Sequence, residues 1–121
     1  MASRLMHERR QTPRVAKRVP VTIAGEQGVI QAETKNISAA GAYCSLEQRL
    51  APMTKLELEF SLETNPKSVR VRCHGVVVRV EPLPGPSAHP RYDTAIFFTD
   101  LAERDRQAIS EFVRQHLAAN P

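Results

Sequence analysis

Two stretches carry side chains able to grip an anion. The first is Arg9-Arg10-Gln11-Thr12-Pro13-Arg14, and the second is Asn36-Ile37-Ser38-Ala39-Ala40-Gly41. Arginine offers a planar fork of donors that matches phosphate oxygens and the O6/N7 edge of guanine. Asn36 and Ser38 add donors and acceptors for the rest of a base. Gly41 lets backbone approach a flat ligand. Together the two stretches could close on one anionic nucleotide, which is binding chemistry and needs no reaction.

The rest of the chain offers no reactive constellation. His7, His74, His89 and His116 are scattered, without the spacing of metal ligands. No serine or cysteine sits in a nucleophile context, and the carboxylates form no acid/base pair. The reading is therefore no enzyme, no catalytic residue, no metal and no cofactor. Cys44 and Cys73 are isolated and read as two small buried thiols in a reducing cytoplasm. No apolar run is long enough to span a membrane.

The chain has 121 residues, 41% of them apolar and 25% charged, and a net charge of +4. That length suits one domain with one core. The positive excess lies at the front, where Arg4, Arg9, Arg10, Arg14, Lys17 and Arg18 face the single acid Glu8. Residues 1–14 lack an apolar period and read as a flexible basic arm, with residues 15–121 as the domain. Pro13 pushes Thr12 towards an extended conformation.

Alternation then defines strands. Val19, Val21 and Ile23 face in, and Pro20 favours an edge. After a turn at Gly25–Gly28, Ile30, Ala32 and Thr34 face in, and the strand runs into a turn at Asn36–Gly41. Ala42, Cys44 and Leu46 form a short third strand, with Tyr43 pointing out. Leu56, Leu58, Phe60 and Leu62 oppose a wet, acidic face of Glu57, Glu59 and Glu63. Asn65-Pro66-Lys67 turns the chain back.

Val69, Val71 and Cys73 run in odd phase, whereas Val76, Val78 and Val80 run in even phase. That slip predicts a β-bulge at His74-Gly75. Pro82–Pro90 reads as a long hairpin loop. Tyr92–Phe98 is apolar in both phases, so both its faces should be covered. A helix follows, with Asp100 as N-cap and Ile109, Phe112, Val113, His116 and Leu117 on its apolar stripe. Arg104, Asp105, Arg106, Glu111 and Arg114 should face water. The expected fold is mainly β: a small six-stranded antiparallel barrel, one C-terminal helix and the basic arm.

The order of these features resembles the PilZ domain family. Arg10-xxx-Arg14 fits its RxxxR motif, and Asn36-x-Ser38-x-x-Gly41 fits its (D/N)xSxxG motif, about 20 residues on and in the right strand context. The Gly75–Arg79 GVVVR run and the strand before a DR-containing helix look like the family too. The resemblance covers the chain from about Glu8 to Leu117. It implies a split barrel that binds cyclic di-GMP without chemistry.

By that resemblance, Arg10 and Arg14 contact phosphates and guanine Hoogsteen edges, and Asn36, Ser38 and Gly41 line a guanine. Arg9 matches a basic residue associated with two stacked ligand molecules, so one or two are expected per site. Asn36 stands where many members have Asp, so its bonds to guanine N1–H and N2–H are weaker than charge-assisted ones. A protein effector, unnamed by the sequence, would read the bound state. Two alternatives stay open: a ligand-independent scaffold for a motility or secretion partner, and a nucleic-acid-binding barrel. Few aromatics and the acidic face argue against DNA or RNA.

Overall fold

The computed structural model describes residues 13–64 and 67–119. Arg9, Arg10 and the rest of residues 1–12 lie outside them, as do Asn65 and Pro66 of the expected turn. The elements are β1 (Arg14–Val15), β2 (Pro20–Gly25), β3 (Gly28–Ser38), β4 (Gly41–Leu46), β5 (Lys55–Glu63), β6 (Ser68–Pro82), β7 (Tyr92–Phe98) and α1 (Glu103–Ala119).

The sheet order is β1-β3-β2-β5-β6-β7-β4, and a further β3–β4 pairing closes it. Every pairing is antiparallel. β2 to β7 therefore form a closed six-stranded barrel, as expected, and β1 adds to the margin of β3. Inward residues alternate cleanly where one face is wet: Leu56, Leu58, Phe60 and Leu62 are all buried. Phe60 and Phe98 stack inside with ring centroids 5.9 Å apart. On the wet face, Glu59 is met by Arg70 at 3.2 Å and Arg72 at 3.5 Å, so the acidic stripe is partly neutralised. Cys44 and Cys73 are free and buried, and burial pushes both thiols up to about 12.

Several local expectations are corrected. β2 is no edge strand; it lies between β3 and β5. Pro20 is tolerated because it is the first strand residue and β5 pairing starts only at Val21. The bulge falls between Val77 and Arg79, not at His74-Gly75. Val77 is fully buried and Val78 is 53% exposed, the reverse of the expected phase. Gly75 has a different role, because a Cβ there would come within 2.9 Å of Leu58 and Ile96 side chains. Asn36–Ser38 belong to β3, leaving only Ala39-Ala40 as the turn.

Phe97 is half exposed, because α1 packs against β1, β3, β5 and β6 rather than over β7. Ile109, Phe112 and Val113 are buried as expected, whereas Leu117 is exposed. Asp105 is buried, not wet. It sits in the first turn of α1, where the helix dipole favours a carboxylate. Asp100 does not cap the helix. Ala102 O accepts the first helical bond, from Arg106 N at 2.8 Å. Asp100 instead accepts from His74, its backbone N at 2.6 Å and its ring Nδ1 at 2.6 Å.

β1 is short, so its placement needs other anchors. Val15 is buried and pairs with Ile37. Thr34, itself 2% exposed, ties down the following link. Its hydroxyl accepts from Val19 N at 3.0 Å and donates to Lys17 O at 2.6 Å, while Thr34 N donates to Val19 O at 3.0 Å.

Three outcomes follow from this packing. A Cβ at Gly41 would lie 2.1 Å from the Ile96 carbonyl oxygen, which is backbone and cannot rotate away. Gly41→Ala should destabilise by about 1–3 kcal/mol or more in urea unfolding, and by more than Gly75→Ala, where side chains can adjust.

Thr34→Val leaves Val19 N and Lys17 O without that hydroxyl and should cost about 1–3 kcal/mol. An unchanged urea midpoint would refute the anchoring.

The third concerns pH. The hydrogen bond and then the charge of Asp100 raise the His74 pKa, and Glu57 adds to this. His74's contribution is therefore complete below its ordinary value and is lost as pH rises through its raised one. Bonds from His74 backbone and ring lower the Asp100 pKa, so its contribution is lost only as pH falls through that lowered value. His74→Gln should lower the urea midpoint more near pH 5.5 than near pH 8.5. Equal losses at both would show the pair to be inert.

Candidate functional site

The outer face of the barrel carries one row of side chains across β1, β3, β4, β7 and β6. Opposed residues in antiparallel pairs share a face. Arg14 opposes Ser38, Asn36 opposes Tyr43, Tyr43 opposes Ala95, and Ala95 opposes Arg79. Two register shifts make this row possible. One lies between Thr34 and Asn36 on β3, and the other between Val77 and Arg79 on β6. Each turns the residue after it onto the outer face while Thr34 and Val77 stay inside.

The Arg14 guanidinium donates through Nη1 to Asn36 Oδ1 at 2.9 Å. Its Cζ also stands 5.9 Å from the centre of the Tyr43 ring. From the other side, Arg79 Cζ stands 5.7 Å from the same ring, and Arg79 Nη2 donates to the Tyr43 hydroxyl. That bond, and the charge of Glu81, raise the Arg79 pKa further above its ordinary value. Two permanent positive charges thus converge on one half-buried tyrosine beside an amide.

The structure brings Arg14 and Asn36 into direct contact and treats the other motif residues differently. Ser38 is fully buried, and its hydroxyl accepts from Ala40 N at 3.1 Å and donates to Gly41 O at 3.4 Å. Gly41 is buried against β7, where Phe98 N donates to Ala40 O at 2.9 Å. Both shape the turn that ends the site. Arg106 reaches the same turn from α1, its Nη1 3.5 Å from Ala39 O. Arg9 and Arg10 fall outside the described residues. Arg18 lies 3.7 Å from Glu33, a surface ion pair away from the row.

The sequence pattern placed Tyr43 only on the outer face of its strand and Arg79 only at the end of a GVVVR run. The available signal was the small Ala95 between them, but that needs the β6–β7 register. Chemically, the face can hold an anion with planar polar edges. Among the described residues, no cluster of His, Cys, Asp and Glu could hold a metal ion. No helix among them is long and apolar enough to cross a membrane.

Comparison with known proteins places the fold. The PilZ domain description matches residues 8–115. No curated protein sequence matches the chain. Among solved structures, the Bacillus subtilis inhibitor of motility MotI/DgrA superposes with a TM-score of 0.78 at 22% identity, over 92% of this chain and 52% of that one. The K. pneumonia MrkH–c-di-GMP complex gives 0.66 at 16%, over 91% and 53%. The PilZ domain of Escherichia coli YcgR with c-di-GMP gives 0.67 at 8%, over 93% and 99%. This chain spans about half the length of the first two. At these identities the structures establish a shared fold, and the domain match establishes the lineage: the chain belongs to the PilZ domain family.

Proposed function

We propose that this domain is a cytoplasmic receptor for cyclic di-GMP, held through Arg10, Arg14 and Asn36, with Arg9 setting whether one or two molecules bind. Ser38 and Gly41 shape the turn against which a guanine lies. The observation that carries the reading is the Arg14–Asn36 contact, which joins the two sequence motifs across β1 and β3 at 2.9 Å. Two solved neighbours of the same fold hold c-di-GMP. The ligand brings two phosphodiesters and two guanines, and the outer face brings two guanidiniums and an amide, with Arg9 and Arg10 shortly before Arg14 in sequence.

Binding relays a signal when Arg9 and Arg10 close on the ligand and the arm takes up a defined position that a partner reads. Ordering a segment costs entropy, which is acceptable where that ordering is the output. The fold neighbour named as an inhibitor of motility favours a partner in a motility apparatus.

Titration calorimetry tests the reading. Cyclic di-GMP should bind the intact chain with one or two molecules per site. Arg14→Ala should weaken binding by about one to two decades, because an arginine–guanine pair contributes roughly 1–3 kcal/mol. Absence of heat and of any melting shift at high micromolar ligand would reject it.

A further inference from the structure

Arg14 and Arg79 come from strands that lie far apart in the sheet order, yet both guanidiniums end on Tyr43. Neighbouring strands are about 4.8 Å apart, so each side chain crosses one whole strand to reach β4. Arg14 crosses β3 alongside Asn36. Arg79 crosses β7 over Ala95, whose methyl leaves the path open. Long cationic side chains on a wet surface ordinarily sample many rotamers, and two like charges drift apart. Here the ring face holds Arg14 at 5.9 Å and Arg79 at 5.7 Å, and the hydroxyl accepts from Arg79. Both distances lie within the range at which a ring attracts a cation.

We propose that Tyr43 is the positioning residue of the site: it holds Arg14 and Arg79 each against its ring on the outer face before any ligand arrives. The deduction rests on the receptor reading for its consequence, not for its geometry. Preorganising two charges removes part of the ordering cost that binding would otherwise carry. It also favours a ligand that carries more than one anionic group. A linear anion with a single charge gains little from it. Tyr43 itself need make no ligand contact; its effect passes through the arginines.

Two measurements separate the deduction from the receptor reading. In the free, full-length chain, NMR should show ring-current shifts on the Arg14 and Arg79 side-chain protons, lost in Tyr43→Leu and kept in Tyr43→Phe. Unshifted arginine resonances in the wild type would overturn the positioning role whether or not the ligand binds.

In calorimetry with cyclic di-GMP, Tyr43→Leu should weaken binding about tenfold, and Tyr43→Phe, which keeps the ring, by about threefold or less. In an Arg14→Ala/Arg79→Ala background, Tyr43→Leu should have no further effect. An equal loss in that background, or wild-type affinity of Tyr43→Leu, would also overturn it. Melting curves run on each variant identify any loss of affinity caused by unfolding, and Tyr43→Phe keeps the test informative if Tyr43→Leu is unstable. No binding by the wild type with intact ring-current shifts would sink the receptor reading and leave the positioning role standing.

Discussion

The site depends on a two-residue graft. Arg14 is exposed and Val15 is buried, and nothing else in β1 fixes the arginine. Burying a valine contributes roughly 1.5–3 kcal/mol, about the scale needed to hold a short segment against its chain entropy. Thr34 adds its hydroxyl to the link that follows, so the chain cannot slide along β3. A slip of one residue would exchange Arg14 and Val15 between water and core. The register of this small strand therefore decides whether Arg14 faces the amide of Asn36 or is turned towards the core.

Closure of the barrel supplies the other half. β3 and β4 must pair across the seam while the chain turns through Ala39-Ala40. Gly41 meets β7 so closely that only a residue without a Cβ fits. Ser38 spends its hydroxyl on that same turn. These two motif residues thus hold the corner of the outer face in shape. Asn36 and Tyr43 are then presented side by side. The same glycine that suggests close approach of a ligand is needed first for close approach of a neighbouring strand.

Much of this was legible in the sequence where one face of an element is wet. β5 alternates so regularly that its facing is unambiguous, and the buried stripe of α1 at Ile109, Phe112 and Val113 follows from helical spacing. Legibility fails where the local pattern carries no phase. Val76-Val77-Val78 is uniformly apolar, so only pairing with β7 shows that Val77 points in and that the bulge comes after it. Gly75 looked like the slip but is small because Leu58 and Ile96 press on it. Asp100 looked like a cap because aspartate before a helix usually is one, but His74 from β6 competed for both its oxygens. Arg14 and Asn36 could be paired by motif. Tyr43 and Arg79 could not, because their meeting depends on two register shifts and on the strand between them.

Asn36 sets a balance that a carboxylate would shift on both sides. In the free chain its carbonyl oxygen holds Arg14 as a neutral acceptor. Exposed ion pairs are worth only about 0–1 kcal/mol, and a neutral acceptor at an exposed site less still, so under the proposed function this bond would cost little to exchange for one to a phosphate or guanine. An aspartate would grip guanine N–H donors more strongly, but it would also grip Arg14 more strongly before the ligand came. Affinity follows the difference between the two states, not the strength of either contact alone. With asparagine at 36, the free-state cost is small and the amide retains a donor as well as an acceptor. Under the proposed receptor function, recognition on this face would lean on the arginines and on how well they are held in place.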